Sequence, residues 1–279
     1  MADSIRELLA LARAQLAASA TPDLDAEVLL QLCTDKDRAW LLANDRKTLE
    51  PAVQSRFWEL VRRRRRGEPV AYLTGNREFW SLCLAVNNSV LVPRPETELL
   101  VERALVLIAA DAKLRILDLG TGSGAIALAI AKERPRCSIT AADCDASALE
   151  LARANASALG VGNIQFKRSD WYQAINERFD LIVSNPPYVA DGDPHLQQDE
   201  LRFEPLHALQ AGPDGLRDLK QIIAGAQQHL GPSGWCLLEH GPEQATSVAT
   251  MLHEHGFKHV KNYQDLAGLP RMTEGQRAK

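Results

Sequence analysis

The 279-residue chain has no Cys-x-x-Cys pair, no internal repeat, no low-complexity tract and no apolar run of membrane length. Each absence removes a class of protein. Its five cysteines (Cys33, Cys83, Cys137, Cys144, Cys236) are scattered and odd in number, which argues against a disulfide framework. They read as reduced core thiols of a cytoplasmic protein. Near the N-terminus Asp3, Arg6, Glu7 and Arg13 interrupt every apolar stretch, so neither a signal peptide nor a membrane span is expected. Net charge is only −4, which argues against a chain that coats itself on nucleic acid but leaves room for a local patch. His253-Glu254-His255 looks like a metal pair, yet positions i and i+2 of a helix do not face one site, so no metal is expected there.

What is present can build a sizeable core. Hydrophobic residues make up 46% and charged residues 24%, ordinary for one large or two modest soluble domains. Residues 4–66 read as a small helical bundle. Ile5, Leu8, Leu9, Ala12 and Leu16 keep helical spacing, Pro22 fits the first turn of a second helix, and Ala26, Leu29, Leu30 and Cys33 form its stripe. Trp40-Leu41-Leu42 and Val53, Phe57, Leu60 and Val61 supply two more apolar faces. Arg62 to Arg66 end the last of these helices. They are either a solvated, dipole-compatible terminus or a contact patch for a phosphate backbone or an acidic partner.

Between Gly67 and Pro95 the pattern turns strand-like. Tyr72, Phe79, Trp80, Leu82, Leu84, Val86 and Val90-Leu91-Val92 predict a hairpin linker with its turn at Asn87-Asn88, closed by Pro93-Arg94-Pro95. A helix from Glu98 to Ala110 follows, and from Leu114 onward strands and helices alternate. Alternation of this kind predicts an α/β domain, a mostly parallel sheet with helices on both faces. Ligands in such sheets sit beyond the carboxyl ends of the strands, at the switch point.

Two stretches fall at such strand ends. Asp118-Leu119-Gly120-Thr121-Gly122-Ser123-Gly124 follows the first strand of the alternation and opens a helix, with Asp143 ending the next strand 23 residues after Gly120. Glycines permit a tight turn and close approach of a ligand, the helix start offers free N–H groups, and an acid placed like Asp143 can accept ribose hydroxyls. Gly120-x-Gly122-x-x-Ala125 also fits a dinucleotide loop. It is not a phosphate-cradling Walker loop, and Ser123 lacks the spacing of a nucleophile elbow. Asp118, together with Asp170-Trp171 after the third strand, favours S-adenosylmethionine, with Trp171 over the adenine face.

The second stretch organises the chain. Phe179-Asp180-Leu181-Ile182-Val183 reads as a buried strand, stopped by Ser184-Asn185-Pro186-Pro187-Tyr188. Two prolines make a stiff corner that holds the Asn185 amide. The side-chain oxygen of Asn185, the free carbonyl of Pro186 and the ring of Tyr188 suit a planar group bearing an NH2.

These residues carry a resemblance. The second domain resembles a class I S-adenosylmethionine-dependent methyltransferase, and Asn185-Pro186-Pro187-Tyr188 is similar to the motif of enzymes that methylate planar nitrogens. The whole chain is similar to the HemK-type protein-(glutamine-N5) methyltransferases. The likeness runs through Gly67-Glu68-Pro69, Leu73-Thr74-Gly75, Glu78-Phe79, Pro93-Arg94-Pro95-Glu96-Thr97-Glu98, the Gly120 loop, the Asn185 motif, Arg202-Phe203-Glu204-Pro205 and Leu238-Glu239-His240-Gly241.

The resemblance implies a seven-stranded Rossmann-like sheet and methylation of the glutamine in the Gly-Gly-Gln loop of peptide chain release factors. It implies a helical recognition domain over 1–73, a hairpin linker over 74–93 and a methyltransferase domain over 94–279. Cofactor contacts are expected at Gly120, Thr121, Gly122, Ser123, Gly124, Asp143, Trp171 and Asn185. Substrate contacts are expected at Asn185, Pro186, Pro187 and Tyr188, with Asn185, Pro186 and Tyr188 carrying catalysis. A monomer without a nucleic-acid substrate or membrane is expected. The alternatives are an amino-methyltransferase of a nucleic-acid base, an NAD-dependent dehydrogenase and a non-catalytic binding module.

Overall fold

The computed structural model describes residues 4–197 and 200–279, which divide into two compact units. The first contains the described residues of Met1–Asn76 and Gln198–Phe203, the second those of Arg77–Gln197 and Glu204–Lys279.

The first unit is helical: α1 (Ile5–Gln15), α2 (Pro22–Thr34), α3 (Arg38–Ala43), α4 (Pro51–Arg65) and α5 (Val70–Thr74). A capping box starts α1, where Ser4 Oγ accepts from the Glu7 amide and the Glu7 carboxylate accepts from the Ser4 amide. Prolines occupy the first turns of α2 and α4, where a missing N–H costs nothing. The apolar stripes close on one core containing Ile5, Leu8, Leu29, Leu30, Phe57 and Val61, all fully buried. Each such side chain contributes roughly 1.5–3 kcal/mol by leaving water.

The five arginines are not equivalent. Arg62 pairs with Glu59, Arg63 with Glu68 at 2.5 Å, and the largely buried Arg64 with Asp25 at 2.6 Å, while Arg65 and Arg66 are exposed.

The hairpin is formed by β1 (Asn76–Phe79) and β2 (Leu82–Ala85). Its turn is at Trp80-Ser81 and not at Asn87-Asn88, with φ of +50° and +58°. Two consecutive left-handed residues match the twist of a two-residue hairpin, which the expected Asn-Asn signal does not reveal for this pair. Tyr72 lies in α5, and Val90-Leu91-Val92 is not a strand. Phe79, Leu82 and Leu84 belong to the core of the second unit, so the hairpin is part of that unit.

After α6 (Glu98–Leu107) come β3 (Arg115–Leu119), α7 (Ala125–Glu133), β4 (Ser138–Asp143), α8 (Ala146–Ala158), β5 (Ile164–Arg168), β6 (Phe179–Ser184), α9 (Arg217–His229), β7 (Leu230–Glu239), α10 (Ala245–Glu254), β8 (Lys258–Gln264) and β9 (Pro270–Gln276). The seven strands lie in the order β5-β4-β3-β6-β7-β9-β8, parallel from β5 to β7, with β9 antiparallel to both of its neighbours.

Alternating residues feed two cores. Ile116, Ile139, Leu181, Val183 and Leu237 face α6 and α7, whereas Leu117, Leu119, Ile182, Cys236 and Leu238 face α9 and α10. Because β3 pairs with both β4 and β6, the chain reverses direction across the sheet at the end of β3. That reversal is the switch point at which open α/β sheets bind ligands.

Candidate active site

A cavity of about 510 Å³ opens at the carboxyl ends of β3, β4, β5 and β6, a size suited to a small-molecule ligand. Its wall after β3 is the glycine loop. Gly120 and Gly124 have φ of +71° and +86°, a region that costs a side-chain-bearing residue energy. A Cβ on Gly120 would stand 3.6 Å from the Trp171 ring, and one on Gly124 would stand 3.0 Å from Leu128. The amides of Gly120 and Thr121 donate to the carbonyl of Ala142 at 2.9 and 3.0 Å, tying the loop to the end of β4. α7 begins directly after Gly124 without a side-chain cap, and the Ala127 amide of its first turn is directed at the Asp118 carboxylate.

Asp143 is oriented by two backbone amides. Oδ2 accepts from Gly122 at 2.9 Å and Oδ1 from Asp145 at 3.0 Å. Each oxygen retains a second lone pair for a hydroxyl. Burial raises its pKa, opposed by those two bonds. Beneath the loop Asp118 is fully buried. Its Oδ2 accepts from the Thr121 hydroxyl at 2.6 Å, and burial pushes its carboxyl up to about 7. Trp171 and Asp170 line the cavity beyond β5.

Beside the glycine loop lies the corner after β6, because Leu119 and Ser184 are register partners. Ser184 Oγ donates to the carbonyl of Leu119 at 2.7 Å, which fastens the end of β6 to the end of β3. Asn185 Nδ2 donates to Thr97 Oγ1 at 3.1 Å, while its Oδ1 is buried without a described hydrogen-bond partner. An unpaired buried acceptor costs on the order of 1–3 kcal/mol. Only three such side-chain atoms occur among the described residues: Asp118 Oδ1, Asn185 Oδ1 and Glu239 Oε2. All three lie at or beside the C-terminal end of a strand, of β3, β6 and β7.

Of the expected site residues, Gly120, Thr121, Gly122, Ser123, Asp143, Trp171, Asn185 and Pro187 line the cavity. Gly124, Pro186 and Tyr188 are not among its lining residues. Tyr188 packs on the core beneath α9 and α10 and donates to Glu239 Oε1 at 3.3 Å. Burial and the neighbouring Glu239 charge raise its pKa. Half-buried, with its ring on that core and its hydroxyl on Glu239, Tyr188 supports the corner.

Three residues escaped sequence reasoning. Thr97 and Glu239 fall inside the runs Pro93–Glu98 and Leu238–Gly241 that carried the resemblance, but nothing in a single sequence pairs them with Asn185. Asn155 interrupts the apolar stripe of α8 three residues after Ala152, a visible signal of a buried polar contact.

A family model described as PrmC N-terminal domain matches residues 7–75, and one described as Methyltransferase small domain matches residues 95–201. The release factor glutamine methyltransferase of Xylella fastidiosa is 50% identical over 254 residues, covering 91% of this chain and 92% of that protein. The chain belongs to the release factor glutamine methyltransferase family. The family's Pseudomonas aeruginosa member is 46% identical over 263 residues, covering 94% of this chain and 95% of that protein.

The fold is also found in a 16S rRNA N2 G1207 methyltransferase of T. thermophilus solved with AdoMet and guanosine. That structure is 18% identical, with a TM-score of 0.55, covering 72% of this chain and 49% of that one. S-adenosylmethionine is the cofactor of this family's methyltransferase domain, and the cavity suits it. The glycine loop admits a close approach, Asp143 keeps lone pairs for hydroxyls, and Trp171 offers an aromatic wall.

Proposed function

We propose that the protein transfers a methyl group from S-adenosylmethionine to the side-chain amide nitrogen of the glutamine in the Gly-Gly-Gln loop of peptide chain release factors. The observation that carries this reading is Asn185 in the cavity wall, whose side-chain Oδ1 is buried and has no described hydrogen-bond partner. The bound cofactor supplies the methyl as an electrophile on a positive sulfonium.

The protein's part is to place a weak nucleophile. An amide nitrogen shares its lone pair with its own carbonyl, so a donor hydrogen-bonded to that carbonyl would weaken it further. Asn185 Oδ1 and the carbonyl of Pro186 accept the two N–H bonds and leave the nitrogen lone pair directed into the cavity. The same two acceptors favour the positive charge that the nitrogen develops. Neither Pro186 nor Pro187 has an N–H that would compete for that lone pair. No general base is needed before the transfer: S-adenosylhomocysteine is the leaving group, and the N-methylated nitrogen, cationic and strongly acidic, gives its extra proton to solvent.

Residues 1–73 form the recognition domain in this reading and 94–279 the methyltransferase domain, with 74–93 the linker, whose hairpin packs into the core of the second unit. Exposed Arg65 and Arg66 are candidates for the grip on an acidic surface of the partner. The protein acts as a cytoplasmic monomer. No described helix is long and apolar enough to cross a membrane. A nucleic-acid base is disfavoured as substrate because residues 76–279 carry 20 Lys and Arg against 25 Asp and Glu, a net of −5.

Mass spectrometry of a release factor after incubation with enzyme and cofactor tests the reading. One added methyl on the Gly-Gly-Gln glutamine supports it. An unmodified release factor beside methylated rRNA or DNA overturns it.

A further inference from the structure

The β8–β9 ladder outruns the sheet it closes. Ser184 of β6 is level with Leu238 of β7, and Leu238 with Thr273 of β9. Pairing of β7 with β9 ends at Glu239 and Met272, but β8 and β9 pair on to Gln264 and Pro270. Leu269 thus stands four residues past the level of Ser184, about 13 Å along the strand direction at roughly 3.3 Å per residue. Sideways, β9 is two strands from β6 and β8 is three, about 10 and 14 Å at roughly 4.8 Å per step. The turn over residues 265–269 therefore overhangs the carboxyl edge of the sheet beside the Asn185 corner.

This turn is rigid and tipped with apolar side chains. Asp265 Oδ1 accepts from the amides of Ala267 and Leu269 at 2.9 and 3.0 Å, and Oδ2 pairs with Arg271 Nε at 3.0 Å. The backbone closes it twice more, with Asp265 N donating to Leu269 O at 2.9 Å and Gly268 N to Asp265 O at 3.0 Å. None of these bonds uses a leucine side chain. Leu266 is fully exposed, Leu269 is 44% exposed, and neither joins a core cluster. A turn needs only small or polar residues to form. Leucines held out in water by a fixed turn add nothing to the fold, whereas their burial against a partner carries little ordering cost.

We propose that this turn is a docking element for the protein that carries the methyl-accepting glutamine, with Leu266 and Leu269 seated in an apolar depression beside the loop that enters the cavity. The inference rests on the proposed release factor substrate. A contact of standard size covers about 800 Å² on each partner, a disc of about 16 Å radius. Centred on the corner, such a disc takes in a turn about 10 to 14 Å to its side. A folded protein feeding its loop into the cavity meets the wall that overhangs the edge there. A second copy of the chain is the weaker occupant, because two leucines supply only a small part of the roughly 1,200–2,000 Å² that a stable pair buries.

The test uses the full-length enzyme and full-length release factor. Leu266→Asp removes the apolar tip without touching the cavity. It should raise KM for release factor, and the Kd read by calorimetry, by about 5- to 30-fold, the range expected of an interface anchor. The kcat at saturating release factor, the Kd for S-adenosylmethionine and the urea midpoint should stay at wild-type values. Leu266→Met should bind as the wild type does. Asp265→Ala keeps both leucines but frees the turn, and should raise KM in the same direction.

A release factor KM and Kd within twofold of wild type in Leu266→Asp overturns the proposal. So does a wild-type dimer that becomes monomeric in Leu266→Asp with release factor affinity unchanged, which would make a second copy the occupant. A wild type that does not bind release factor overturns both this docking element and the proposed function. If the wild type binds release factor but methylates none, the proposed function fails while the Kd comparison still tests the turn.

Discussion

Asn155 Nδ2 donates to the carbonyl of Ser123 at 2.9 Å, so a side chain in the last turn of α8 holds the glycine loop in place. The same amide brackets the hairpin: Oδ1 accepts from the Ala85 amide at 2.8 Å and Nδ2 reaches the Ala85 carbonyl at 3.0 Å. Replacing Asn155 by Leu strands buried backbone groups on both sides. We expect a loss of about 2–4 kcal/mol in urea unfolding, given roughly 1–3 kcal/mol per buried group left unpaired. Cofactor affinity should fall as well, because Ser123 lines the cavity. A variant within 0.5 kcal/mol of wild type, about the scatter of an ordinary surface change, would contradict this role.

Asp118 is held at a thermodynamic cost. Its carboxyl ordinarily ionises at 3.8 but is pushed by burial to about 7 in the folded chain. Between those values the folded state binds the extra proton, so stability falls as pH rises through that window. Asp118→Asn should accordingly raise stability at pH 8 by at least about 1 kcal/mol, one pKa unit being worth about 1.4 kcal/mol. The gain should fade as pH approaches 4. Thermal unfolding at pH 5 and pH 8 checks the sign, and a variant destabilised at pH 8 would refute it.

The arginine run should separate by position. Arg64 pairs with Asp25, both largely buried, and also donates to Ser19 Oγ at 3.1 Å and to the Glu68 carbonyl at 3.2 Å. Removing one partner of a buried pair costs about 3–5 kcal/mol. Arg64→Met should therefore destabilise strongly, whereas Arg65→Ala and Arg66→Ala should leave the midpoint of unfolding unchanged. If Arg65 and Arg66 grip the partner, their loss should raise KM for release factor and spare kcat.

Much of this was legible in the chain, for identifiable reasons. Strand–helix alternation after Leu114 is a local pattern, so the parallel sheet followed from it, and the glycines between β3 and α7 marked their own turn. Asn87-Asn88 carries the stronger local turn signal, but the left-handed pair that joins β1 to β2 is Trp80-Ser81, flanked by the buried Phe79 and Leu82. An aromatic residue beside a binding corner suggests stacking on the substrate, the expectation for Tyr188. Its actual neighbours, Glu239 and the α9–α10 core, are brought to it by tertiary structure alone. Thr97 and Asn185 are 88 residues apart, and no periodicity connects them.

Asp143 should be separable from the corner across the cavity. Asp143→Ala removes two backbone hydrogen bonds and the hydroxyl acceptor. Calorimetry should give a cofactor Kd weakened by about 10- to 100-fold, as loss of 1.4 to 2.7 kcal/mol implies. An unchanged Kd would move the cofactor away from β4.

The corner itself is tested by Asn185→Ala, measured as a single-turnover methyl-transfer rate on release factor with cofactor affinity determined in parallel. The account predicts a Kd for S-adenosylmethionine within a few-fold of wild type and a rate lower by about 10²–10³, the loss typical of one preorganised hydrogen-bonding group. A rate close to wild type at saturating cofactor would contradict it.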